Sequence, residues 1–234
     1  MVVGISPTML IVSALPGQLL AQPSPIKISL EFPSADPRGN PQRTVGGGRR
    51  GASCISVESG KPSLTALMPT RANQGNTVAN NPQLYWYIPK TTATIGELVV
   101  KDELENEIYQ TNFTVPGSPG IVKLTIPESA TLKTGQKYRW FFTLICNPED
   151  RSQDEYTYGS LQKTTLSSSL DSYLDAATPL KKAEIYAKYN IWQETLSNIA
   201  ELKTEKPKEW EELLKSVGLE AIAKEPFLNC CTKP

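Results

Sequence analysis

Between Lys137 and Cys146 the large apolar residues fall on every second position. Tyr138, Trp140, Phe142, Leu144 and Cys146 share one face of an extended segment, and the intervening residues share the other. Leu132, Gly135 and Tyr138 introduce it with the Leu-x-x-Gly-x-x-Tyr spacing of a tyrosine corner, whose hydroxyl bonds back to the preceding backbone while its ring closes one end of a core. This is the pattern of strand F in an immunoglobulin-like or fibronectin-like β-sandwich. Further runs over 63–68, 83–88, 94–101, 107–115, 120–126 and 155–165 predict strands at the sandwich's spacing of roughly 8–12 residues. Turn signals such as Asn80-Asn81-Pro82 and Pro116-Gly117-Ser118-Pro119-Gly120 separate them. In Leu84-Tyr85-Trp86-Tyr87-Ile88, alternation turns Leu84, Trp86 and Ile88 inwards and Tyr85 and Tyr87 outwards.

After Thr165 the apolar period lengthens to about 3.6. Leu170, Tyr173 and Leu174 make one helical stripe, and Leu180, Ala183, Tyr186 and Ala187 follow a Thr178-Pro179 start. Trp192, Leu196 and Ile199 make the next, and Trp210, Leu213, Leu214 and Val217 the last before Gly218. Each helix carries a single apolar stripe that must be buried against something, and the connector after Thr165 lacks Gly and Pro. The predicted fold is therefore mainly β with an α appendage: a sandwich followed by a C-terminal helical segment packed on it.

Upstream, the apolar run from Met9 to Leu15 and the ending Leu19-Leu20-Ala21 predict a secretory signal peptide. The stretch from Gln22 to Lys61 is rich in Pro, Gly and Arg and predicts a flexible linker, in which only Lys27 to Phe32 alternates well enough for an edge strand. The expected division is a signal peptide over 1–21, a linker over 22–61, the sandwich over 62–166, helices over 167–226 and a frayed tail over 227–234.

Charge and composition narrow the chemistry. Lys+Arg and Asp+Glu both total 24, so no global field draws the chain to nucleic acid, and no such partner is expected. No later run approaches the ~20 apolar residues of a membrane span. The chain has no His, which removes the usual general base at neutral pH and the commonest metal ligand. No catalytic residue, cofactor or metal site is expected.

Of the four cysteines, Cys146 falls on the inward face of its strand and Cys54 enters the first one. Cys54 and Cys146 are expected to bond, closing a loop of about 90 residues, with two unrelated buried thiols as the alternative. Cys230 and Cys231 read as free or intermolecularly paired thiols, since a vicinal pair lacks the second ligand set of a metal site.

Other constellations are weaker. Ser160-Leu161-Gln162-Lys163 and Lys133-Thr134-Gly135 match two motifs of penicillin-binding enzymes, but in the wrong order and with the serine on a predicted strand. Asp102 and Glu103 sit at a charged hairpin tip. The loop Asn147 to Asp154 joins the strands that would be F and G. In it Asp150 and Arg151 are candidate binding residues, Arg151 as a planar fork for a carboxylate or phosphate or as a brace for the turn. Tyr85 and Tyr87 could dock a sugar or a partner, or receive the C-terminal helices.

With these pieces in order, the chain resembles a family known mainly from cyanobacteria and catalogued only as domain of unknown function 928. The resemblance runs from about Cys54 to Gly218. It rests on Ser63-Leu64-Thr65-Ala66-Leu67-Met68-Pro69, Tyr85-Trp86-Tyr87-Ile88-Pro89, Pro116 to Val122, Tyr138-Arg139-Trp140 through Cys146-Asn147-Pro148 with Arg151-Ser152, and Tyr186-Ala187 leading to Ile191-Trp192. It implies an exported cyanobacterial protein and brings no activity and no site residues. The expected function is an exported, non-enzymatic binding or interaction module whose partner is an unknown protein or envelope component. The alternatives are a hydrolase using carboxylates such as Asp102, Glu103 or Asp150, and a scaffold piece of an envelope assembly.

Overall fold

The computed structural model describes residues 1, 30–33, 53–69 and 73–231. The expected signal peptide, apart from its first residue, and most of the expected linker lie outside the described residues. Ten strands and four helices follow in chain order. The strands are β1 (Ile55–Ser56), β2 (Thr65–Ala66), β3 (Gln74–Thr77), β4 (Gln83–Ile88), β5 (Lys90–Thr91), β6 (Ile95–Lys101), β7 (Glu107–Thr114), β8 (Gly120–Thr125), β9 (Lys137–Ile145) and β10 (Glu155–Lys163). The helices are α1 (Ser168–Asp175), α2 (Pro179–Lys188), α3 (Trp192–Glu201) and α4 (Pro207–Ser216).

Two sheets form the sandwich. One has five strands in the order β3-β10-β9-β6-β7 and the other three in the order β2-β4-β8, while β1 and β5 make a small ribbon. The ladders are antiparallel except β10 with β3, which run parallel. The inward residues of β9 meet those of β4. Trp86 lies 4.4 Å from Phe142 in a stacked pair and 5.5 Å from Trp140 edge-on. Each of these buried rings removes enough apolar surface to contribute roughly 1.5–3 kcal/mol. The corner closes as the spacing predicts: the Lys133 N–H donates to the Tyr138 hydroxyl at 2.7 Å.

Cys54 and Cys146 are bonded, with Cα atoms 5.4 Å apart. Cys230 and Cys231 are bonded to each other, which corrects the expectation of free or intermolecular thiols.

Helix α3 packs against β4 of the three-stranded sheet and β3 at the edge of the five-stranded one, with α2 and α4 packed on α3. Thr178 caps α2 by accepting from the Lys181 N–H, with Pro179 in the first turn, and the left-handed Asn190 (φ 59°) turns the chain into α3. Trp192 of α3 is fully buried, and its indole N–H donates to the Leu67 carbonyl at 2.8 Å. That bond ties the helix to the end of β2. Trp210 of α4 is likewise buried and donates to the Ala223 carbonyl at 2.7 Å.

Three segments depart from the sequence expectation. β3 reads Gln74-Gly75-Asn76-Thr77, with no apolar alternation, and is recruited by parallel pairing to the edge of β10. Leu30 and Phe32, expected in the linker, are buried: the Phe32 ring meets Trp192 edge-on at 4.8 Å and its N–H donates to Ser216 Oγ. At the other end, residues expected to fray instead extend the three-stranded sheet. Ile121 donates to the Pro226 carbonyl at 2.7 Å and accepts from the Leu228 N–H at 2.8 Å. Gly120 permits this approach, because a Cβ there would meet the Pro226 oxygen at 2.8 Å.

Candidate binding surface

Four residues were singled out in the sequence for binding. The structure places two of them in a turn and two in a layer interface. Asp150 Oδ1 accepts from the Ser152 N–H and hydroxyl, and its Oδ2 from Gln153 Nε2. The Ser152 and Gln153 side chains, with the Ser152 amide, hold its carboxyl below the ordinary range. Arg151 pairs with Asp154 and, at 2.9 Å, with Glu97 on β6, and these two carboxylates raise its already high pKa further. Asp154 in turn accepts from the Cys146 N–H. The arrangement clamps the F–G turn onto β6 beside the disulfide.

Tyr85 and Tyr87 point away from the sandwich core and are covered by C-terminal segments, the second of the two roles open to them, instead of forming a docking face: they are 4% and 2% exposed. Phe227 packs edge-on against Tyr85 at 6.1 Å, and the Tyr85 hydroxyl donates to Gln83 Oε1 at 2.7 Å. Burial pushes the Tyr85 phenol up to about 12. Burial, and secondarily Glu225 and Glu58, raise that of Tyr87.

Asp102, at the β6–β7 turn, accepts from the Leu104 and Asn106 N–H groups and from Asn106 Nδ2. The Asn106 side chain is the main cause of its lowered pKa. Ser160 and Lys163 lie three apart on β10, so their side chains leave opposite faces and cannot form a nucleophile–base pair.

With the helices on one side of the sandwich, the outer face of the five-stranded sheet is left open. Register fixes its layout. Tyr158, Phe141, Val99 and Gln110 form one row across β10, β9, β6 and β7. Ser160, Arg139 and Lys101 flank it on one side, and Tyr156, Thr143 and Glu97 on the other. Aromatic residues thus occupy outward positions where a solvated sheet face normally carries polar ones.

The rings are nearly parallel. Phe141 and Tyr158 have centroids 6.2 Å apart and planes inclined by 29°, and Tyr158 and Tyr156 are 6.5 Å apart at 30°. Tyr156 is 40% exposed, while Phe141 and Tyr158 are half-buried. Lys101 Nζ and the Arg139 guanidinium carbon lie 5.9 and 6.0 Å from the Phe141 centroid, within cation–π range. Arg139 is also ion-paired with Glu105. A trough of about 460 Å³ runs along this face, lined by Asn73, Arg139, Phe141, Tyr156, Tyr158 and Ser160. Gly159 also lines it, and on the core side of the sheet its missing Cβ makes room for Trp140, since a Cβ there would lie 2.3 Å from that ring and 2.8 Å from Asn73 Oδ1. A volume of this size, with aromatic walls and a few convergent polar groups, is that of a small-ligand or single-segment site.

Sequence reasoning passed over Phe141, Tyr156 and Tyr158. Their signal was present: once the phase of β9 and β10 is set by Trp140 and Leu161, these rings fall on the outward face.

Strand order and core define a β-sandwich carrying a helical layer. Residues 45–227 match the family described as Domain of Unknown Function (DUF928), and the chain belongs to that family. Among solved structures, a fibronectin type III domain of the human collagen alpha-1(XX) chain is similar over 52% of this chain and 94% of its own, at 10% identity and a TM-score of 0.29. No curated protein matches the chain. Among the described residues, no helix is long and apolar enough to cross a membrane.

Proposed function

We propose that the protein is an exported, non-enzymatic binding module that holds an envelope component on the open face of its five-stranded sheet. The observation that carries this is the row of outward-facing rings, Phe141, Tyr158 and Tyr156, beside a trough in the one sandwich face that the helices leave uncovered. Export is supported by the Cys54–Cys146 bond, since such a cross-link persists in oxidising compartments.

The hydrolase alternative has little support. Asp102 is held by the Asn106 side chain and Asp150 by the Ser152 and Gln153 side chains, with turn amides adding to each, and these bonds lower their pKa, the opposite of what a general acid needs; the two also sit in separate loops.

The test is retention of envelope material by the immobilised protein. A Phe141→Ala/Tyr158→Ala variant, assayed well below its own cooperative melting transition, should lose retention, and Arg151→Ala should keep it. Loss with Arg151→Ala and retention by the double variant would move the site to the F–G loop and end this proposal.

A further inference from the structure

We infer that the ligand of this open face is a neutral saccharide chain. The inference rests on the reading of the face as the binding surface and adds the class of ligand.

Three features of the trough select it. First, main-chain recognition of an extended peptide requires an unpaired strand edge. The trough lies over β9, which is flanked by β10 and β6, and over β10, whose free side is paired with β3 from Ser160 to Lys163 and capped by Asn73, which donates to the Tyr158 carbonyl and accepts from the Ser160 N–H. Only the Glu155–Thr157 end of that side lies beyond these partners, too short a stretch for a peptide ladder.

Second, the charge of the lining is internally matched. Arg139 is the one charged side chain among the lining residues described, and Glu105 is its ion-pair partner. A phosphate or carboxylate would have to compete with that partner, whereas a neutral ligand can share the guanidinium's remaining N–H donors.

Third, the polar and apolar parts are segregated. The rings of Tyr156, Tyr158 and Phe141 form one part, and Arg139 and Ser160, direct cross-strand partners, form the next row of the same trough. A pyranose ring has the matching division. Its C–H face carries weakly positive hydrogens that suit the negative face of an aromatic ring, and its rim carries hydroxyls that suit a guanidinium fork and a serine hydroxyl.

The experiment uses the full mature protein and one probe: protease-digested polysaccharide from the envelope of the cell that makes the protein. Side-chain footprinting reads which tyrosines it protects. The expected result is protection of Tyr156 and Tyr158, lost when the polysaccharide is first oxidised with periodate, which cleaves vicinal diols. Tyr158→Ala should weaken binding at least tenfold, while Tyr156 in the ligand-free variant stays as reactive as in the wild type. Absence of protection, or protection that survives periodate, overturns the inference. If undigested envelope extract protects these tyrosines while the polysaccharide does not, the saccharide falls and the face remains a site for a protein. If neither protects them, the reading of the face falls as well.

Discussion

Phe141 and Tyr158 are direct cross-strand partners on β9 and β10, and their rings lie 6.2 Å apart on the solvent side of a sheet whose other side buries Trp140 and Phe142. An aromatic cross-strand pair adds about 0.5–1.5 kcal/mol, so these rings have a modest structural value of their own. Truncating either should cost no more than about 1.5 kcal/mol in a denaturant titration, against about 3–5 kcal/mol for Trp140→Ala on the buried side. Equal costs would mean that the open face is part of the core.

Tyr138→Phe should destabilise the protein by about 1–3 kcal/mol, because the Lys133 N–H then loses its acceptor at the corner. Tyr85→Phe should cost less, since the acceptor it abandons, Gln83 Oε1, belongs to a partly exposed side chain that water can reach. Urea titrations of the two variants give the comparison. The reverse order would contradict the corner's role.

Gly159→Ala should destabilise by at least about 1–3 kcal/mol through overpacking, because the added methyl would fall 2.3 Å from the Trp140 ring. A variant as stable as wild type would show that Trp140 has room to shift.

Glu194 on α3 accepts from the Thr77 hydroxyl and the Ala79 N–H, but desolvation outweighs these bonds and raises its pKa. The folded state therefore keeps this proton to higher pH than the unfolded state does. Its contribution to stability is most favourable below the ordinary carboxyl range and is lost as pH rises through the raised folded value. Glu194→Gln retains an acceptor oxygen and cannot ionise, so wild type minus variant stability should fall over that window. Melting temperatures of both proteins measured across it check the sign. A difference that stays flat would remove the burial argument.

Reduction of the Cys54–Cys146 bond, which spans 92 residues, should lower stability by about 4–5 kcal/mol on loop-closure entropy. Non-reducing peptide maps should show this link and the Cys230–Cys231 bond, with no free thiol at these four positions. Detection of a reactive thiol at any of them would break the assignment.

The sandwich was legible because Trp140, Phe142 and Leu144 alternate, and because Leu132, Gly135 and Tyr138 keep the spacing of the corner. Gln74–Thr77 was not, since its pairing with β10 comes from the backbone and leaves no apolar period. The site was hidden for a different reason. In sequence, Tyr85 and Tyr87 are outward aromatics on a strand, and so are Phe141 and Tyr158. Which pair meets solvent is decided by what packs on each face: α3, anchored by Trp192 on Leu67, lies against β4 and the β3 edge, and Phe227 covers Tyr85. The near-continuous apolar run of β4 did carry a hint, since a strand covered on both faces has no need to alternate.

The most direct measurement of the open-face account is tyrosine footprinting of the intact protein, alone and with envelope extract. In the free protein Tyr156 and Tyr158 should react while Tyr85, Tyr87 and Tyr138 stay protected, following their burial. On adding the extract, protection should appear at Tyr156 and Tyr158. Reactive Tyr85 and Tyr87 in the free protein, or protection confined to other surfaces on binding, would contradict it.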